Sequence, residues 1–252
     1  MSDRVLVALD GGVLTLTLNR PDKKNAIDAP MIDALLEVLE RADLDAAVRV
    51  VAVRGTGGDF CAGMDLKELL ASADKSVEEN RAAALRFAEI FLRMRRLPKP
   101  VVAVVQGHAL AGGCGLATAC DLVLAAESAQ FGYPEVQRGF VPAIVLTLLK
   151  RVTGEKIAFD LAATGRILGA PEAAAAGLVS RVYDESDFED QVSEVLRALA
   201  AASGSALALT KQQFYQLDGL PFEDGLRLGA DVNAVSRTTP DFRAALQAFL
   251  KK

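Results

Sequence analysis

Twice in this chain an apolar, β-branched strand runs into a glycine-bearing turn that opens directly into a helical pattern. This repeated passage constrains the fold more than any other feature. In the first passage, the strand at 50–53 leads through Arg54-Gly55-Thr56-Gly57-Gly58-Asp59-Phe60-Cys61-Ala62-Gly63-Met64-Asp65 to a helical pattern at Leu66, Leu69 and Leu70. In the second, a strand over 101–105 leads through Gly107-His108-Ala109-Leu110-Ala111-Gly112-Gly113-Cys114-Gly115 into a helix expected over 112–120. Such turns leave backbone N–H groups aimed outward at a helix N-terminus, where they can hold an oxyanion or a phosphate. Glycine also simply relieves crowding between a strand and a helix, so the glycines alone name no chemistry. No Gly-Lys-Ser/Thr closes the second turn, and its glycines do not fall in G-x-G-x-x-G spacing, which argues against a Walker loop and a dinucleotide fingerprint.

Strand and helix alternate along the rest of the chain. Leu alternates with Thr over 13–18, a half-buried strand, and Asp28 is placed to cap a helix to about 41 with Met31, Leu35, Leu36 and Leu39 on one face. A strand at 48–53 follows, and after the first turn a long helix carries Leu85, Ile90, Phe91 and Met94 inward until Pro98 stops it. Strands are expected again at 122–125 and near 179–183. From Ser186 the pattern is helical only, with Val192, Val195, Leu196 and Leu199 at helical spacing and further helices over 206–217, 222–235 and 241–250. The expectation is an α/β core over 1–185 and a helical region over 186–252, within a length that can bury one substantial core.

With these elements in place, the chain resembles the crotonase superfamily, the enoyl-CoA hydratase/isomerase family. The likeness is carried by Leu18-Asn19-Arg20-Pro21 with Lys24-Asn25-Ala26, by 60–66, by Lys99-Pro100-Val101 through Cys120-Asp121, by Phe131-Gly132-Tyr133-Pro134-Glu135, and by 173–179. Five motifs in register over nearly the whole chain make it specific. The resemblance implies an α/β fold built as a spiral of repeated ββα units, with a C-terminal helical region that makes homotrimer contacts, trimers pairing into hexamers. It implies an acyl-CoA thioester substrate whose carbonyl oxygen is held by the backbone N–H groups of Met64 and Gly112. Substrate and CoA contacts are implied at Lys24, Ala26, Ala62, Asp65, Leu66, Leu110, Gly113 and Pro134. No separate cofactor is implied, because coenzyme A arrives as part of the substrate.

The resemblance also puts a catalytic glutamate at Glu135. Its flanking Phe131 and Tyr133 suggest partial burial, which raises a carboxyl pKa toward the range suited to a base that must return its proton. Hydratases of the family carry another glutamate directly after the Gly-Gly-Cys triplet, where this chain has Gly115. Water addition uses paired carboxylates well, and losing one removes a contribution of about 10² to 10⁴ in rate. A double-bond shift needs one carboxylate to carry a proton from C2 to C4. The segment Gly139-Phe140-Val141-Pro142-Ala143-Ile144, in place of a Pro-Gly-x-Gly-Gly run, is a further likeness to the 3,2-enoyl-CoA isomerases. The ranking is therefore isomerase first, hydratase second and an acyl-CoA-binding scaffold without chemistry third, with a glutamate restored at 115 expected to raise hydration if the site has room. The region 69–97 and a loop over 139–145 are expected to shape the acyl pocket, and Phe87, Ile90, Phe91, Ile144 and Val145 there favour an apolar acyl chain.

Charge and cysteine usage narrow the remaining classes. With 28 basic against 33 acidic residues the net charge is −5, which disfavours nucleic acid and anionic membrane as partners. CoA phosphates then need local cations: Lys23 and Lys24 are candidates, whereas Arg93, Arg95 and Arg96 read as a solvated last helical turn. No apolar run approaches the roughly 20 residues of a membrane span, and the N-terminus lacks a secretory or transit pattern, so a cytoplasmic location is expected. Three cysteines and one histidine, with no C-x-x-C pair, supply a metal cluster poorly. His108 with Cys61 or Cys114 leaves a cysteine-dependent hydrolase as a competing reading, against which His108 reads as a polar packing residue and the thiols as packing groups.

Overall fold

The computed structural model describes residues 3–251. Strands β1 (Val5–Asp10) and β2 (Val13–Leu18) form an antiparallel hairpin. Helix α1 (Ala29–Leu44) then leads to β3 (Val50–Gly55), α2 (Leu66–Ala71), α3 (Val77–Arg96), β4 (Val101–Val105), β5 (His108–Leu110), α4 (Gly112–Thr118), β6 (Leu122–Ala126) and β7 (Gln130–Gly132). After β7 come α5 (Ala143–Thr153), α6 (Glu155–Thr164), β8 (Ile167–Gly169), α7 (Ala170–Ala175) and β9 (Arg181–Tyr183), and four helices finish the chain: α8 (Phe188–Ala201), α9 (Gly204–Gln216), α10 (Phe222–Ser236) and α11 (Pro240–Leu250).

The main sheet has the order β1-β2-β3-β4-β6-β9, parallel from β2 onward, and a smaller sheet has the order β5-β7-β8. Each passage therefore goes from a long strand of the main sheet to a short strand or bridge in the smaller one and then to a helix. β4, β5 and α4 form one such unit, and β3, the parallel bridge of Cys61 to Ala109, and α2 form another. The repeated ββα unit implied by the resemblance is thus visible.

Parallel strands covered on both faces need apolar residues at every position, and β3 and β4 supply them. Val51, Val53, Val101, Ala103 and Val105 face the larger core with α1, α3 and α4, while Val50, Ala52, Val102 and Val104 face a second cluster closed by Phe188, Val192 and Leu196 of α8. Asp28 caps α1 by accepting from the Met31 N–H at 3.0 Å. At the start of α3, Ser76 and Glu79 form a capping box, and the helix ends just before Pro98.

One strand lay outside the expectations, and two expectations are corrected. β1 carried no recognisable alternation because only Val5 is buried along it, and its pairing with β2 rather than burial makes it a strand. The stretch 139–145, expected as a loop, already enters α5 at Ala143, and α6 follows without a break in the helical path beyond Gly154. The arginines ending α3 are not simply solvated: Arg93 pairs with Glu40 at 3.1 Å, and Arg95 lies 4.1 Å over the Tyr215 ring and pairs with Asp218. α10 and α11 bury no residue, and no single helix among the described residues is long and apolar enough to cross a membrane.

Candidate active site

The two glycine turns meet. Cys61 N–H donates to His108 O and Leu110 N–H to Cys61 O, both at 2.9 Å, which zips the first turn onto β5. On its other side, Ile27 N–H donates to Gly63 O and Asp65 N–H to Ile27 O, both at 2.8 Å, so the ladder uses the residues flanking Met64 and leaves the Met64 N–H facing away. Gly113 must lack a side chain, since a Cβ there would sit 2.2 Å from Cys61 O. Gly63, at φ +99°, is needed both for its left-handed backbone and because a Cβ would lie 2.8 Å from Ala111 Cβ and 3.2 Å from Gly112 N. Ala111 itself takes φ 50°, ψ −126°, a strained conformation for a residue with a side chain, held by its N–H donating to Gly132 O at 2.8 Å. Among the described residues neither the Met64 nor the Gly112 N–H has a backbone acceptor, and a Cβ on Gly112 would be 3.6 Å from Met64 Cγ. The two turns thus bring Gly63-Met64 against Gly112, with neither the Met64 nor the Gly112 amide bonded to another backbone group.

Glu135 belongs to the short 3₁₀ turn Pro134–Arg138 that follows β7. That turn is tied to α4 twice: Ala111 is bonded to Gly132, and the Tyr133 hydroxyl meets Thr118 Oγ1 at 2.9 Å, which in turn donates to Cys114 O at 2.8 Å. The Glu135 side chain is 7% exposed, and its buried Oε2 has no hydrogen-bond partner. Burial pushes its carboxyl above the ordinary glutamate range, against weaker opposition from its own N–H and from Arg138. A buried acceptor without a donor is costly to fold, and it is free to take a proton from something else.

The wall of α4 is set by α3 and α5. Phe87 and Phe91 pack edge to face with centroids 4.8 Å apart, and Phe87 Cζ would lie 3.3 Å from a Cβ on Gly112. One turn further along, a Cβ on Gly115 would lie 2.0 Å from Val145 Cγ1. Phe87, Phe91 and Val145, expected on composition to shape an apolar pocket, are brought together here. The room on which a glutamate at 115 was conditional is absent.

The remaining sequence-derived positions surround the first turn. Ala62 N–H donates to Lys24 O at 2.9 Å, and the exposed Lys24 ammonium lies 3.7 Å from Asp59. Arg20 reaches Ala26 O at 2.6 Å, Asp65 at 2.8 Å and Asp28 at 3.4 Å. Its guanidinium holds the Asp65 carboxyl below the usual carboxylate range, and Asp65 also caps α2 through Lys67 N–H, so that carboxylate is committed to the scaffold. Leu66 is exposed at the start of α2, Leu110 is half-buried, and Gly113 and Pro134 are buried, Gly113 against Cys61 of the first turn but Pro134 beside Gly165. Sequence reasoning missed Asn25 as a rivet. Fully buried at φ 55°, its amide donates to Thr56 O and Asp59 O at 2.8 and 2.7 Å and accepts from Arg20 N–H at 2.9 Å. An Asn tolerant of left-handed backbone, just after Lys24 in a charged turn, was the available signal.

The cysteines carry no nucleophile. Burial pushes the Cys61 thiol up to about 12 and that of Cys114 up to about 11, so both stay protonated at neutral pH. The His108 ring bonds Asp59 through Nδ1 at 2.6 Å, which accounts for it as a polar packing group. Burial works against the Asp59 anion, but bonds from the His108 ring and amide outweigh it and hold that carboxyl low.

Comparison with known proteins bears on the family and the fold. A family model described as enoyl-CoA hydratase/isomerase matches residues 9–252. A putative enoyl-CoA hydratase of Thermus thermophilus is 40% identical over 242 residues, spanning 96% of each chain. The 1,2-epoxyphenylacetyl-CoA isomerase of Escherichia coli is 32% identical, covering 100% of this chain and 97% of its own. A crystal structure of enoyl-CoA hydratase from Mycobacterium smegmatis superposes with a TM-score of 0.95 at 33% identity, covering 99% of this chain and 97% of that one.

Proposed function

This chain belongs to the enoyl-CoA hydratase/isomerase family, and we propose that within it the chain shifts a double bond, converting a 3-enoyl-CoA to a 2-enoyl-CoA. The Met64 and Gly112 N–H groups donate to the thioester oxygen. Glu135 takes a proton from C2, and the electron pair of that C–H bond moves through the chain onto the thioester oxygen, giving a dienolate. Glu135 then returns the proton to C4, which leaves the double bond between C2 and C3 and the carboxylate as it began. Each oxyanion donor contributes about 3 to 4 kcal/mol in such a site. Coenzyme A enters with the substrate, near Lys24 and Ala26, and no further cofactor takes part.

The observation that supports this reading is a buried carboxylate with an unpartnered oxygen, Glu135, close enough to α4 to act on the Cys114 thiol, while Gly115 of that helix supplies no second carboxylate. Exposed apolar side chains on the last helices, Phe222 at 81% and Phe249 at 75%, support a homotrimer or hexamer. Hydratase activity is the second reading, favoured by the name of the relative at 40% identity. A panel of 2-enoyl and 3-enoyl thioesters, followed for water addition and for double-bond migration, separates the two. Migration is expected to be the faster, and hydration well above migration overturns the assignment.

A further inference from the structure

The geometry points to Val145 as the residue that decides between proton shuttling and water addition in this site, with Gly115 as its obligatory partner; the inference rests on the reading of Glu135 given above. A Cβ at Gly115 would lie 2.0 Å from Val145 Cγ1, 2.8 Å from Val145 Cβ and 3.7 Å from Phe91 Cζ. Carbon atoms in contact need about 3.5 to 4.0 Å, so the volume any side chain at 115 would enter is already filled. Val145 is 3% exposed and sits in the first turn of α5. A β-branched side chain on a helix has one strongly preferred rotamer, so Val145 cannot swing aside.

The contrast with Gly112 on the same helix shows that this is specific. There the nearest obstacle to a Cβ is the tip of Phe87 at 3.3 Å, a contact that a small shift accommodates, whereas at Gly115 the obstacle is a buried branched carbon of a neighbouring helix. A Cβ at the first glycine meets only side-chain tips at near-contact distance, whereas at the second it would overlap Val145 outright. A second carboxylate on this wall, and a water held by it, therefore require two changes at once. Exchanging Gly115 for glutamate leaves Val145 in its path. Trimming Val145 to alanine is not enough either, because its Cβ is itself within 2.8 Å.

The test uses four full-length proteins: wild type, Gly115→Glu, Val145→Gly and the double variant. Each is assayed for hydration of a 2-enoyl-CoA and migration of a 3-enoyl-CoA, with thermal unfolding measured in parallel. The double variant is expected to hydrate at least about tenfold faster than either single variant, toward the low end of what one added acid or base contributes, and to unfold at a higher temperature than Gly115→Glu. Equal hydration by Gly115→Glu alone, or a folded double variant with no gain, overturns the role of Val145. Should the glutamate variants not fold, Gly115→Ala is made with and without Val145→Gly. The penalty of the alanine is expected to disappear in the Val145→Gly background, and additive effects on unfolding temperature overturn the steric argument. Wild-type rates alone test the reading of Glu135, and changes across the variants test Val145, so the two can fail separately.

Discussion

Two ionisable side chains lie equally deep in this protein and are treated in opposite ways. Lys211 of α9, 8% exposed, spends all three ammonium protons: on Asp121 at 2.7 Å, on Met94 O at 2.7 Å and on Lys99 O at 2.9 Å. Asp121 is in turn held by Val101 N–H and the Tyr215 hydroxyl, both at 2.7 Å. Glu135, 7% exposed, has an oxygen with no partner. Burial works against both charges, lowering the Lys211 pKa in spite of Asp121 and raising that of Glu135. The saturated charge docks a helix on the core. The unsaturated one is available for chemistry, and its desolvation is a cost borne by the fold.

The largest expected effect comes from Glu135→Gln. Turnover of the preferred acyl-CoA should fall by about 10² to 10⁴ while binding of the thioester persists, measured by steady-state rates and by equilibrium binding of an unreactive acyl-CoA. Unchanged turnover on every thioester tried would place Glu135 beside Lys211 as a purely structural charge and break the comparison.

Lys211→Met is expected to do the reverse. Stripping the cation from a buried pair costs up to about 3 to 5 kcal/mol, and the two donors Asp121 retains put the loss near the lower end, about 3 kcal/mol by denaturant unfolding. Rate per folded molecule should be that of the wild type. A large drop in rate with intact stability would mean that the α9 anchor communicates with the site.

The smallest effect is in pH dependence. Because the folded state raises the Glu135 pKa, the native protein binds more protons than the unfolded chain between the ordinary and the raised value, and its stability falls as pH rises through that window. Glu135→Gln should therefore match the wild type below the ordinary carboxylate range and be the more stable of the two at neutral pH. The wild-type kcat/KM should fall on acidification with a midpoint above the ordinary glutamate value. Parallel stability curves for the two proteins would show that burial of Glu135 carries no penalty.

Much of this was legible in the sequence because it is local. The strand runs, the Asp28 cap and the stop at Pro98 depend on neighbours a few residues away, and the structure has them where periodicity and capping rules put them. β1 was hidden, since a strand with one buried side chain has no amphipathic signature. The motif at Glu135 was readable, but its unpartnered oxygen was not, because the absence of a donor is a property of everything around it.

The sequence by itself determined the main parallel strands, the helices α1, α3 and those after Ser186, the two glycine turns and the single glutamate, since each rests on backbone propensity and local steric allowance. Only the tertiary structure decided that the two glycine turns pack against each other at Gly63 and Gly112, that Lys211 is saturated while Glu135 is not, and that Val145 occupies the space over Gly115. Those facts depend on close packing between residues far apart in the chain. In a densely packed interior, which atom owns a given volume or hydrogen bond is settled by all its neighbours together.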